Sequence, residues 1–211
     1  DGDTTFWRVE RGAIIGQTTE EKQPADGKNT FLIHRDGEFG DFELRFRYKV
    51  EGFNSGVQYR SRDEGGWHVS GMQADFQARW QTDKRNPKKP PFDQFSGMIF
   101  DEGRRHIKGR RGDVMILRAN KKDPINPKVE KIGSVGDPAE LERVIRREDW
   151  NEMTIIARGN QYIHLINGRV FCICYDEDES RFRKSGILAF QLHSGRPMKI
   201  ELKDLRIREL R

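Results

Sequence analysis

Between Asp41 and Gln77 the chain alternates apolar and polar residues with a period of two. Phe42, Leu44, Phe46, Tyr48 and Val50 interleave with Glu43, Arg45, Arg47 and Lys49. On a helix those five apolar side chains would spread around the circumference; on a strand they share one face. Two more runs follow. Val57 and Tyr59 oppose Gln58, Arg60 and Arg62, and Met72, Ala74 and Phe76 oppose Gln73, Asp75 and Gln77. Three consecutive half-buried strands predict an antiparallel sheet. Its polar face carries amides, a carboxylate and guanidiniums, all capable of directional hydrogen bonds, although an ordinary wet sheet face reads the same way.

The flanking sequence repeats the theme. Phe6 to Val9 and Gly12 to Gln17 predict a hairpin, Thr30 to His34 a strand, and Asn167-Gly168 a tight turn between two further strands. Strands are also predicted over Gly186 to His193, where Gln191 and His193 share a face, and from Met198 onward. One helix is expected from Pro138 to Arg147: Asp137 caps it, Glu140 sits three residues on, and Leu141, Val144 and Ile145 form its apolar stripe. Thr82 to Gln94 is a basic, proline-rich loop that cannot continue a ladder. Many short strands, one surface helix and no βαβ rhythm predict an all-β antiparallel sandwich, read as a single domain over residues 1–211.

Composition excludes several classes. The net charge of +5 in 211 residues invites a nucleic-acid reading, but Lys and Arg alternate with Asp and Glu rather than forming a stripe, so no nucleic-acid partner is expected. No run approaches bilayer-crossing length, and no membrane insertion is expected. Cys172 and Cys174 lie two apart on one predicted strand, too far from each other to bridge. No phosphate-binding glycine loop, His-Glu-x-x-His or Gly-x-Ser-x-Gly is present. The polar residues near strand ends (Arg60, Gln73, Asp75, Trp80, Asp101, Glu102, Arg104, Arg105 and His193), with Trp67 nearby, instead suit a sugar, whose CH faces stack on rings while its hydroxyls bond to polar groups.

A resemblance sharpens this. Asn54-Ser55-Gly56-Val57-x-Tyr59-Arg60, Ser70 to Asp75, Phe100-Asp101-Glu102-Gly103-Arg104-Arg105, Asp149-Trp150-Asn151-Glu152, Ala157 to Asn160, His164 to Gly168, and Gly186 to Arg208 occur in the order of the DUF1080, or 3-keto-disaccharide hydrolase, family. The chain resembles that family over nearly its whole length. It departs where many relatives carry Tyr-Glu-Val-Gln and this chain has Met72-Gln73-Ala74-Asp75, which moves the carboxylate to Asp75.

The resemblance implies a concanavalin A-like jelly-roll sandwich with a sugar site on its concave sheet, usually in exported bacterial proteins; the opening Asp-Gly-Asp suits a chain whose export signal has been removed. It also implies cleavage of 3-keto-glycosides. A C3 ketone acidifies the C2 hydrogen, a base removes it, the C1 substituent leaves, and water adds back. His193, Asp75 or Glu102 is the expected base. Arg60, Arg104 or Arg105 is expected at the enolate oxygen, and Asn54, Gln73, Trp80 and Gln191 at the substrate. A divalent cation on Asp75, Glu102 or His193 is an alternative electrophile. Two rivals use the same face: a sugar-binding module without chemistry, and a direct glycosidase using Asp75 and Glu102.

Overall fold

The computed structural model describes residues 1–78, 93–103, 105 and 108–211. The strands are β1 (Trp7–Glu10), β2 (Ala13–Thr18), β3 (Thr30–Ile33), β4 (Phe42–Glu51), β5 (Asn54–Gly65), β6 (His68–Gln77), β7 (Ile99–Glu102) and β8 (Lys108–Gly109). They continue with β9 (Asp113–Arg118), β10 (Lys128–Ser134), β11 (Asn151–Arg158), β12 (Gln161–Ile166), β13 (Arg169–Asp176), β14 (Ile187–Leu192) and β15 (Met198–Glu209). Two sheets result, a nine-stranded one in the order β1-β2-β15-β4-β11-β12-β13-β9-β10 and a six-stranded one in the order β3-β14-β5-β6-β7-β8. The chain is an all-β sandwich, antiparallel except that β13 and β9 run parallel, with Ile173 opposite Val114.

The alternating face of β4 is the centre of the core. Phe42, Leu44, Phe46 and Tyr48 are each no more than 3% exposed. They meet the six-stranded sheet ring to ring: Phe46 lies edge-on to Phe190 at 5.1 Å and Tyr48 lies 4.4 Å from Phe76. Burying each such side chain contributes about 1.5–3 kcal/mol. Cys172 and Cys174 are buried, unbridged members of the same cluster. The Asn167-Gly168 turn forms as expected, with φ of +50° and +77°.

The helix is shorter than its apolar stripe suggests. It spans Pro138–Arg143, capped by Asp137, whose Oδ1 accepts from the amides of Ala139 and Glu140. Leu141 is buried against the core. Beyond it the backbone tightens to i→i−3 bonds, Val144 to Leu141 and Ile145 to Glu142. Asn151 then captures both the amide and the carbonyl of Arg146, which stops the helix before Arg147.

The hairpin of β5 and β6 does not stay flat, and this positions the site. Arg60 sits at φ +46° within a register shift between Tyr59 and Arg62. Opposite this bulge Gly71 has φ +147°, and a Cβ there would stand 2.3 Å from Ser61 Oγ. Past these residues the hairpin end folds over the outer face of its own sheet. The Phe31 amide donates to the Trp67 carbonyl, His68 Nδ1 donates to the Asn29 carbonyl, and Val69 joins Phe31, Ile33 and Ala189 in a second small apolar cluster. One end of the outer face is thereby roofed and the other left open.

Candidate functional site

The floor of the open end comes from β5, β6 and β14. Gly56 stands opposite Asp75, and Gln58 opposite both Gln73 and Ala189, so the same register sets Gln191 beside Gly56. Gly56 is required here: a Cβ would lie 2.5 Å from Gln73 Cγ. Gln73 occupies that space in a buried chain of hydrogen bonds. Ser61 Oγ donates to Gln58 Oε1 (2.8 Å), Gln58 Nε2 to Gln73 Oε1 (2.9 Å), and Gln73 Nε2 to Asp75 Oδ1 (2.6 Å). Burial raises the Asp75 pKa well above the carboxylate range despite the Gln73 donor, and the charges of Glu102 and Asp93 push the same way. Asp75 therefore favours its protonated form.

Glu102 arrives by the folded hairpin. Because β7 pairs with the bent end of β6, with Glu102 opposite Gly71, the carboxylate is carried across the outer face. Its oxygens accept from Gln191 Nε2 (3.4 Å) and Asn29 Nδ2 (3.5 Å). Gln191 is 1% exposed and its Oε1 has no hydrogen-bond partner among the described residues, which leaves a buried acceptor on the cleft wall.

His193 follows β14 on the same side. Its Nδ1 lies 2.7 Å from the Ser194 carbonyl. A carbonyl only accepts, so Nδ1 carries the proton and Nε2 the free lone pair of the neutral ring. Burial lowers its pKa below the usual imidazole value, so the ring is a neutral base at pH 7. Phe53 packs edge-on against it at 4.6 Å. Ser194 is held in turn by Asn29 and by the Gly27 carbonyl, which immobilises the segment.

These groups line a cleft of about 430 Å³ with Asn54 and the apolar walls Phe53, Phe95, Met98 and Phe100. The structure thus brings together Asn54, Gln73, Asp75, Glu102, Gln191 and His193, residues carried by the four adjacent strands β14, β5, β6 and β7 or, for His193, just after β14. Asn29 and the apolar walls were not anticipated from sequence. Phe100 carried a readable signal, since it alternates between the buried Ile99 and Asp101.

Two expected members lie elsewhere. The extra residue of the bulge turns Arg60 through the sheet. Its guanidinium donates to the carbonyls of Gly40 and Gly159 and to Asp41, and lies over the rings of Tyr162 and Phe182. Arg105 is fully buried, bound to Asp101, Asp176 and Asp178. Neither reaches the cleft. Trp80, Arg104 and most of the Thr82–Gln94 loop lie outside the described residues. Among the described residues no three His, Cys, Asp or Glu side chains, Asp75, Glu102 and His193 included, converge as a ligand set for a metal ion.

A family model described as the 3-keto-alpha-glucoside-1,2-lyase-like domain matches residues 1–208. The chain belongs to this family. No curated protein matches the lyase-like chain in sequence. Among solved structures it is similar to a candidate glycosyl hydrolase from Parabacteroides distasonis, at 15% identity and a TM-score of 0.59, covering all of this chain and 93% of that one. It is also similar to the carbohydrate-binding module CBM66 from Bacillus subtilis, at 10% identity and a TM-score of 0.56, covering 99% and 92%. The alginate lyase A1-II' is similar at 10% identity and a TM-score of 0.51, covering 99% and 85%. At these identities the likeness establishes a shared sandwich fold for the lyase-like domain and its neighbours.

Proposed function

We propose that the cleft binds a 3-keto-glycoside and cleaves it by elimination and rehydration. The observation that carries this reading is the pairing of a neutral imidazole with a proton-holding carboxyl in one apolar-walled cleft. Environments that push two titratable groups apart in this way suit them to act as base and acid.

His193 Nε2 takes the C2 hydrogen, and the C2–H electron pair moves into the ketone to give the enolate. Its return expels the C1 oxygen, which takes a proton from Asp75. Water then adds at C1 across the new double bond, returning one proton to the C2 carbon from His193 and one to Asp75, so the net change is consumption of one water per bond cleaved. With Arg60 and Arg105 turned inward, the amide of Asn54 serves the enolate oxygen. Gln73 orients Asp75, and the unpaired Oε1 of Gln191 accepts from a sugar hydroxyl. An acidified C2 hydrogen is essential to this chemistry, because a side-chain base of ordinary strength cannot remove it from an unoxidised sugar.

The test is product analysis after incubation with a 3-keto disaccharide and with its unoxidised parent, in deuterated water. Cleavage of the keto compound alone, with deuterium at C2, is expected. Cleavage of both without C2 exchange would instead make Asp75 and Glu102 a glycosidase pair. Binding of either sugar without turnover would leave a recognition module.

A further inference from the structure

The catalytic cleft continues into a second concavity of about 790 Å³, and Glu102 and His193 line both. Their linings differ in kind. The first is walled by Phe53, Phe95 and Phe100; the second presents Asn29, Glu64, His68, Ser70 and Arg183.

Arg183 is the distinctive group. The preceding residue, Phe182, packs inward against the core with the Arg60 guanidinium 5.7 Å from its ring, and its amide is tied to the Asp178 carbonyl. That anchor fixes the backbone from which Arg183 reaches the cleft. Arg183 Nη1 donates to the Ser70 carbonyl at 3.1 Å, and no described carboxylate forms an ion pair with it. Burial and the neighbouring Arg62 charge push its pKa down and outweigh the attraction of Asp101 and Glu64. A guanidinium has five N–H donors, and here one is spent. Around it Glu64 supplies a carboxylate that accepts from Ser70 Oγ, and His68, whose Nδ1–H is committed to the Asn29 carbonyl, keeps Nε2 as an acceptor. A forked donor beside acceptors complements vicinal hydroxyls, and because Lys28 and Arg183 offset Glu64 and Glu102 the lining carries no net charge to favour an anionic ring.

We propose that this second cleft is the leaving-group subsite, that it takes a neutral hexose ring, and that Arg183 is its specificity-determining side chain. The assignment of which ring departs rests on the elimination reading above; the binding of a second ring does not.

Arg183→Gln is therefore assayed on a 3-keto disaccharide and on methyl 3-keto-glucoside, which has no second ring. The ratio of kcat/KM between the two should fall roughly 10–100-fold, the loss expected for charge-assisted hydrogen bonds, and it should appear in KM. Equal losses on both substrates, or none, overturn the assignment. So does turnover of a disaccharide with a uronate leaving ring as fast as its neutral counterpart. If the native protein cleaves neither keto compound, the elimination reading fails and calorimetry judges the subsite alone. An unoxidised disaccharide binding more tightly than methyl glucoside, with the difference erased by Arg183→Gln, supports it; equal binding by the native protein overturns it. Glu64→Gln in the same assays serves if Arg183→Gln fails to fold.

Discussion

Replacing Arg105 separates a substrate-binding arginine from a structural one. Its Nε lies 2.6 Å from Asp101, Nη2 lies 2.6 Å from Asp176, and Nη1 lies 3.0 Å from Asp176 and 3.3 Å from Asp178. All four side chains are at most 3% exposed. Burial works against the charge, but hydrogen bonds and attraction from Asp176 and Asp101 outweigh it and hold the pKa above the normal arginine value. Arg105→Met fills similar space but leaves carboxylates buried together with no cation between them. Breaking a buried ion pair from one side costs about 3–5 kcal/mol, and repulsion among the remaining acids favours the upper end. For a chain of this size each kcal/mol moves the thermal midpoint by about 2–4 °C, so a fall of about 6–20 °C is expected. Calorimetry of native and variant protein measures it, with Arg105→Lys intermediate because an ammonium cannot match the fork. An Arg105→Met protein with the native midpoint and a raised KM would refute the reasoning and return Arg105 to the substrate.

Three further outcomes follow from the cleft. His193→Ala should reduce turnover of a 3-keto-glycoside by roughly 10²–10⁴-fold; since burial lowers the His193 pKa, kcat/KM should be flat at neutral pH and decline only below the usual imidazole value of about 6.5. Because folding raises the Asp75 pKa, stability is fully present below the unfolded carboxyl value and is lost as pH climbs toward the folded one. Asp75→Asn should thus flatten that slope in denaturant titrations and stabilise the protein at pH 7, while turnover falls roughly 10²-fold or more. Gly71→Ala, at φ +147° and against Ser61, should cost about 1–3 kcal/mol by urea unfolding and lower activity by moving Glu102.

Period-two alternation made β4 and the inward faces of β5 and β6 legible, because a strand with one buried face must write its orientation into its sequence. It also indicated that Gln73 and Asp75 share an outward face. Arg60 was misread for the same reason: alternation assumes a regular ladder, and one inserted residue reverses the face without any mark in the pattern. Arg105 was misread because an arginine beside an acid looks alike whether it binds substrate or two further carboxylates from β13 and the turn after it. Glu102 was picked out as a polar residue near a strand end, and its role came from the resemblance. Its actual route to Gln191 and Asn29 depends on the bend of the hairpin at Arg60 and Gly71, a tertiary event no local window contains.

The position of the final two strands bears on how the chain comes together during synthesis. β14 lies between β3 and β5, and β15 lies between β2 and β4, so each is an interior strand of its sheet. Until Met198 to Glu209 has been added, β4 has β11 on one side and an open row of amides and carbonyls on the other. Until Ile187 to Leu192 has been added, β3 and β5 have nothing between them, and the segment bearing Gln191 and His193 does not yet exist. Folding therefore cannot advance steadily from the N-terminus. The six-stranded sheet waits for ribosomal synthesis to reach β14 and the nine-stranded sheet for β15, and a nascent chain stalled before that point carries unpaired edges suited to association with other chains.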